Sequence, residues 1–284
     1  MKKNIPTVLF AIALFVGIGF LIYPSVSNYW NCFHQSMAVA EYIENVSNLS
    51  EKRIEKVFEK AEKYNEAIDK NGINLLLSGE EKDSYNHILS ISDSGIIGYI
   101  DINRINCHLP IYHGTSESVL QVAIGHLPGS SLPIGGKSTH CVLLGHRGLP
   151  SAKIFSDLNQ MTCGDIFVIN TLNRTLTYEV DQILTVAPTD TSALKIQPGE
   201  DLCTLVTCTP YSINSHRLLI RGKRVENKFV STANINSEAL VLSVMQSALL
   251  FLPLVAAMGF FGMMLSKNMK VKRNAVRKKI RLIT

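Results

Sequence analysis

The chain has 284 residues, of which 46% are apolar and 18% are charged, which fits one sizeable domain with apolar segments added to it. The formal charge of +5 does not indicate a nucleic-acid partner, because eight basic residues are concentrated in positions 267–284 and the rest of the chain is slightly acidic. A basic block directly after an apolar segment is typical of the cytoplasmic flank of a membrane span.

Two apolar segments, 5–23 and 240–265, are each long enough to cross a bilayer, which takes about 20 residues. We therefore predict a cytoplasmic start with a first transmembrane helix in residues 1–28 and a second transmembrane helix in residues 239–266. Alternatively, the first segment is a cleaved signal peptide, since Ser25-Val26-Ser27 loosely resembles a cleavage site.

The basic flanks of the two spans predict the topology. Lysines precede the first span and the basic tail, 267–284, follows the second, so both termini are expected in the cytoplasm. The intervening domain is then extracellular, and the polar residues 227–238 form a stalk between it and the second span. The predicted location is the cell membrane.

Residues 29–94 are predicted to form a helical N-terminal region. Between Ser47 and about Lys70, apolar residues recur at steps of three and four, which predicts an amphipathic helix. The stretch 71–93 is polar and irregular around an apolar patch at 73–77, and its periodicity does not distinguish a short helix from an ordered loop.

From Gly95 the sequence changes to short β-type runs separated by turn-forming residues. The runs are 96–102, 108–112, 140–144, 165–170, 175–180, 182–186, 202–208 and 217–225. Many short strands at this spacing predict a mainly β domain over residues 95–226, either a closed barrel or a sandwich.

Cys208 differs from the other five cysteines, whose spacing matches neither a disulfide framework nor a zinc site. It lies at the end of an apolar strand that Pro210 terminates, and the next strand begins at Arg217. Cys208 and Arg217 are therefore expected to face each other across a hairpin, whereas Arg221 lies roughly 13 Å further along its strand. Cys203 lies inside the strand and faces the opposite way.

A nucleophilic thiol needs a group that exchanges protons, and histidine does this near neutral pH. Among the eight histidines, His146 is favoured because it follows a strand and has Gly145 and Gly148 close by, which allow a tight exposed turn. His216 is the alternative, since it adjoins Arg217.

Five segments in order carry a family resemblance. They read Gly-Tyr-Ile-Asp-Ile at 98–102, Leu-Pro-Ile-Tyr-His-Gly-Thr at 109–115, Gly-His-Leu-Pro-Gly-Ser-Ser-Leu-Pro at 125–133, Leu-Gly-His-Arg-Gly-Leu-Pro at 144–150, and the stretch 204–221 around Cys208. Together they resemble class C sortases, the pilus-assembly class, and so do the flanking helix and the two predicted spans. The resemblance implies an eight-stranded sortase barrel.

The resemblance also implies the catalytic group and the reaction. His146, Cys208 and Arg217 would be catalytic, and we expect Thr207, Thr209 and His126 to bind substrate. The partners would be pilins or surface proteins with an LPXTG-like (Leu-Pro-x-Thr-Gly) sorting signal, cleaved between Thr and Gly through a thioester and joined to a pilin lysine. No cofactor and no metal are expected.

Three other functions stay open at this stage. The chain could be a sortase that attaches single surface proteins to the cell wall, or a cysteine protease if water replaced the amine. A membrane-bound module that binds sorting signals without catalysis belongs to a different class of protein.

The expected lid departs from the class C pattern, in which an Asp-Pro-aromatic anchor covers the active site. This chain has no proline between Pro24 and Pro110. The best match places Leu75, Leu76 and Leu77 at the anchor, without a carboxylate for the arginine. We therefore predict a weaker lid and a more open Cys208; alternatively, residues 71–93 are a plain connector.

Overall fold

The computed structural model describes residues 5–72 and 78–227. Four helices are present in these ranges: α1 (Ile5–Ser47), α2 (Glu51–Asn71), α3 (Gly79–Asn86) and α4 (Glu117–Leu120). The strands are β1 (Ile96–Ile102), β2 (Cys107–His113), β3 (Ile124–His126), β4 (Thr139–Leu144), β5 (Ile166–Thr171), β6 (Arg174–Val186), β7 (Asp201–Thr209) and β8 (His216–Val225). Short 3-10 turns lie at Asn103–Ile105, Leu158–Gln160 and Ser192–Leu194.

The eight strands close into a barrel in the order β1-β2-β3-β4-β7-β8-β6-β5. Two neighbouring pairs, β2 with β3 and β4 with β7, are parallel, and the remaining pairs are antiparallel. The prediction of a mainly β, eight-stranded closed barrel is confirmed. The interior is filled by alternating apolar side chains such as Ile100, Ile111, Leu143, Leu205 and Ile220, all fully buried.

The predicted runs differ from the observed strands in two places. The runs 175–180 and 182–186 form one strand, β6, whose pairing with β8 shifts register between Val180 and Gln182. The short strand β3 was not predicted, because three residues are too few to show a period of two. Eight predicted runs therefore correspond to seven of the eight strands.

One helical segment within the described residues, Ile12–Ser47, is long and apolar enough to cross a membrane, with a mean hydropathy of 1.5 in its most apolar window. It extends beyond the predicted first span. A signal sequence would meet the same criterion. The described residues end at 227. The predicted second span, the basic tail and the stalk from residue 228 onward therefore lie outside them.

The amphipathic helix predicted near 47–70 is α2. Its buried stripe of Ile54, Phe58 and Ala61 packs against the barrel core, as helical spacing requires. Asn65 on the same stripe accepts a hydrogen bond from the Leu132 N–H at 2.7 Å. The helix is thereby fixed to the barrel wall.

The stretch after α2 contains a helix that periodicity did not reveal. α3 begins with a capping box, in which Ser78 and Glu81 each satisfy the other's backbone N–H. Tyr85 on α3 is fully buried, and its hydroxyl lies 2.8 Å from His126 Nδ1. The part of the chain from residue 78 to the barrel is therefore packed onto the barrel.

Three polar side chains of α1 bind loops of the barrel. Asn28 Oδ1 accepts from the Lys153 N–H at 2.9 Å, and Asn31 Nδ2 donates to the Ser151 carbonyl at 2.8 Å. Gln35, which is buried, donates to the Val122 carbonyl at 2.5 Å. The helix thus contacts the loop after β4 and the loop before β3.

Candidate active site

Parallel pairing of β4 with β7 brings two strand ends to the same edge of the barrel. Leu144 lies opposite Val206, and the Gly145 N–H donates to the Val206 carbonyl at 3.1 Å. The buried Thr207 hydroxyl then donates to the Gly145 carbonyl at 2.8 Å. The loop that begins with His146 is therefore fixed directly beside Cys208.

Antiparallel pairing of β7 with β8 adds the arginine. Cys208 and Arg217 are direct partners in the register, and both are partly exposed. The Arg217 Nη1 group donates to the carbonyls of Asn214 and His216, each at 3.1 Å. Its Nε and Nη2 groups have no hydrogen-bond partner among the described residues, so they can donate to another acceptor.

Glycines shape the loop around His146. A Cβ on Gly145 would lie 2.5 Å from the Phe155 ring, so only glycine allows that approach. Gly148 has φ +78°, and a Cβ there would lie 2.7 Å from the Tyr211 ring of the β7–β8 loop. Both glycines that favoured His146 in the sequence are thus required by close contacts, and the loops after β4 and β7 touch each other.

His146 has an acidic neighbour that sequence reasoning missed. Its Nε2 lies 3.4 Å from the carboxylate of Glu117, which follows the N-cap of α4. Hydrogen bonds from Gln121 and then His146 lower the pKa of Glu117. No spacing in the sequence could have signalled the contact, because it depends on how the loop before β3 returns toward β4.

Three residues predicted to bind substrate have different environments. Thr209 lies beside Cys208 and its hydroxyl accepts from Arg147 Nη1 at 3.4 Å. Thr207 is buried, and its hydroxyl is engaged by the Gly145 carbonyl. His126 ends β3 and is fully buried.

His126 also has both ring nitrogens engaged within the protein. Nδ1 meets the Tyr85 hydroxyl at 2.8 Å and Nε2 meets the Ser131 carbonyl at 2.9 Å. Neither Thr207 nor His126 therefore presents a free polar group to a substrate in this structure. Thr207 instead binds the Gly145 carbonyl directly before His146, and the substrate-binding role of both residues stays a prediction.

Cys203 and Arg221 lie in the wall of the barrel. Burial raises the pKa of the Cys203 thiol, which is fully enclosed and pairs in register with Cys141. Arg221 makes two hydrogen bonds to the Asp181 carboxylate, at 3.0 and 2.7 Å. Neither side chain is available for chemistry at the mouth of the cleft.

An apolar cluster lies on the outer face of the barrel beside the candidate site. Val206 is two residues before Cys208 and therefore on the same face of β7. It packs with Val142, Leu194 and Leu219 in a cluster separate from the barrel interior. All four residues are at most 7% exposed, so this outer apolar cluster is part of the packed wall beside the thiol.

Two further expectations concern the lid and the absence of a metal. The lid candidates Leu75, Leu76 and Leu77 lie within residues 73–77, outside the described ranges, and the lid remains a prediction. Within the part of the chain that the structure describes, no group of three His, Cys, Asp or Glu side chains is arranged to hold a metal ion.

Comparison with known proteins gives a consistent result. Residues 100–225 match the Sortase domain family. The chain is 31% identical over 131 residues to Sortase D of Bacillus subtilis strain 168, a match covering 45% of this chain and 63% of that protein. The chain therefore matches less than two thirds of the length of this curated relative.

Solved structures match over almost their full length. Sortase C1 of Streptococcus agalactiae is 50% identical, with a TM-score of 0.66 over 67% of this chain and 99% of the other. Sortase C of Streptococcus pneumoniae is 43% identical, with a TM-score of 0.59 over 66% of this chain and 96% of the other. The chain belongs to the sortase family of cysteine transpeptidases, and its structural neighbours are class C sortases.

Proposed function

We propose that this sortase builds covalent pili, with Cys208 as nucleophile, His146 as the proton-transfer group and Arg217 as the oxyanion and backbone donor. The Cys208 thiolate attacks the threonine carbonyl of an LPXTG-like signal, and His146 protonates the departing glycine amine. A pilin lysine then attacks the thioester, gives a proton to His146 and forms an isopeptide bond, while the C–S bond breaks and the Cys208 thiolate leaves.

The parallel pairing of β4 with β7 carries this proposal, because it brings the His146 loop beside Cys208 while β8 places Arg217 opposite the thiol. The Nε and Nη2 donors of Arg217, which have no partner among the described residues, can stabilise negative charge that develops on the attacked carbonyl oxygen.

The structural neighbours support the pilus assignment. Sortase C of Streptococcus pneumoniae is described by its pilin substrate specificity. Transfer of this property to the present chain belongs to the proposal, since pilins and wall-anchored proteins carry similar signals. The acceptor amine, rather than the signal, distinguishes the two functions.

The test is a joining reaction with the full chain in detergent micelles, a sorting-signal peptide and a lysine-bearing pilin. Mass spectrometry should find an isopeptide product that is absent with Cys208→Ala and retained with Cys203→Ala. Product formed only with a cell-wall stem-peptide amine would favour anchoring of single proteins. Formation of product by the Cys208→Ala variant would contradict Cys208 as the nucleophile.

We also propose that α1 anchors the protein in the membrane with the barrel outside the cell. The apolar segment within Ile12–Ser47 supports an anchor, and the basic tail supports cytoplasmic termini. Protease added to wall-stripped cells should digest the barrel and spare the tail after Lys267. Cleavage of the tail from outside would contradict the two-span topology.

A further inference from the structure

The pair formed by His146 and Glu117 joins two loops that are distant in sequence. His146 Nε2 lies 3.4 Å from both carboxylate oxygens of Glu117. The Glu117 side chain is 69% exposed, against 27% for His146. The carboxylate therefore approaches the imidazole from the solvent side, and neither partner is forced into the contact by burial.

The loop that carries Glu117 is held from several sides. Gln121, one helical turn later, donates to Glu117 Oε1 at 2.6 Å. The loop returns on itself so closely that a Cβ on Gly125 would lie 2.2 Å from the Gly114 carbonyl oxygen. Gln35 of α1 binds the Val122 carbonyl at its end. These contacts hold the backbone around Glu117 in place.

The loop that carries His146 is braced as well. The Thr207 hydroxyl donates to the Gly145 carbonyl directly before His146, and the Gly148 N–H donates to the Ser156 hydroxyl at 3.1 Å. Asn28 and Asn31 of α1 bind its far end, at residues 151–153. Because both loops are fixed, the backbone positions of His146 and Glu117 are set by the scaffold.

A carboxylate at Nε2 has two chemical effects on an imidazole. It accepts the Nε2 hydrogen, which fixes the ring orientation and leaves Nδ1 for proton exchange. It also stabilises the imidazolium that must protonate the leaving amine. Hydrogen bonds from Gln121 and His146 lower the pKa of Glu117, so the carboxylate is ionised at neutral pH.

We propose that Glu117 is a positioning residue that orients His146 and stabilises its protonated form. This inference rests on the proposed role of His146 in transpeptidation. The polar contacts of the Glu117 side chain with described residues are those with Gln121 and His146. Its contribution is electrostatic, and it acts through Nε2 of the histidine.

The test separates the effect of the charge of residue 117 from the effect of its shape. It uses the full chain in detergent micelles. Glu117→Gln keeps the shape and removes the charge, whereas Glu117→Asp keeps the charge with one methylene fewer. Glu179→Gln removes an exposed charge from β6 and is the matched control. Gln121→Ala removes the hydrogen bond that holds the carboxylate.

Two rates are measured at neutral pH: the kcat of peptide joining and the alkylation of Cys208 by iodoacetamide, which needs no sorting signal. Glu117→Gln should lower both about three- to fivefold, the effect of one exposed ion pair, and leave KM unchanged. Glu117→Asp should keep at least half of both rates. Gln121→Ala should cause a smaller loss than Glu117→Gln.

The outcomes separate the alternatives. If Glu117→Gln behaves like Glu179→Gln, or if Glu117→Asp loses as much as Glu117→Gln, the inference is overturned. If the native chain joins no peptide but alkylation still follows the charge at residue 117, the proposed function fails while the positioning role stands. A change confined to KM would make Glu117 a substrate contact and would also overturn the inference.

Discussion

Replacing Thr207 by valine should weaken both the barrel and the reaction, because one buried hydroxyl joins β7 to the His146 loop. The hydroxyl donates to the Gly145 carbonyl at 2.8 Å, and Thr207 is only 2% exposed. Valine has nearly the same shape and cannot donate. A buried carbonyl that loses its donor costs about 1–3 kcal/mol of unfolding free energy.

That cost is measurable in the full chain by pulse proteolysis in urea, with detergent micelles present. With a urea m-value of about 2 kcal/mol/M, the midpoint should fall by about 0.5–1.5 M. His146 directly follows the released carbonyl, and small misplacements of a reacting group are expensive. We therefore expect kcat to fall about tenfold under conditions in which the variant is folded.

Thr207→Ser is the matched control, since it keeps the hydroxyl and loses only a methyl group. It should retain most of the kcat, with a smaller loss of stability. If Thr207→Val keeps both its urea midpoint and its kcat, the hydroxyl does not hold the loop. If Thr207→Ser and Thr207→Val lower kcat equally, packing at residue 207 rather than the hydrogen bond is responsible.

The other predictions concern the arginine and the pH response. Arg217→Lys should lower kcat about tenfold or more, because lysine lacks the fork of donors. Arg221→Lys should lower kcat less than threefold, since Arg221 pairs with Asp181. Equal losses of kcat in steady-state assays would refute the distinction. Burial lowers the pKa of His113 to about 4, so the unfolded chain, with an ordinary histidine pKa of about 6.5, binds a proton first as pH falls. The folded state should thus lose about 2–3 kcal/mol of stability through His113 between pH 7 and pH 4.5. His113→Gln should remove that part of the loss in urea midpoints compared at the two pH values, and an unchanged pH dependence would contradict it.

Local patterns accounted for the hairpin that holds Cys208 and Arg217. The apolar strand, Pro210 and the next strand are contiguous in sequence, so their pairing follows from short-range rules. The same rules located most strands and α2. The capping box of Ser78 and Glu81 was also readable, and it was the available signal for α3, which periodicity left undecided.

Long-range pairing could not be derived from these patterns. The parallel contact of β4 with β7 joins segments more than fifty residues apart. The residues alone favoured His146 but left His216 as an alternative, and the family resemblance selected His146. The contact of His146 with Glu117 likewise depends on the path of a loop. His126 was expected to bind substrate, yet it lies at the end of β3 and is fully buried.

The bonds from α1 to the barrel loops bear on how fragments of this protein should be interpreted. A fragment that starts at the first strand retains Cys208, His146 and Arg217 but removes Asn28, Asn31 and Gln35. Lys153 N–H and the carbonyls of Ser151 and Val122 then lose their partners. Slow turnover by such a fragment would therefore report a loosened histidine loop. Fragments beginning before Asn28 keep these bonds and are the proper reference for the full chain.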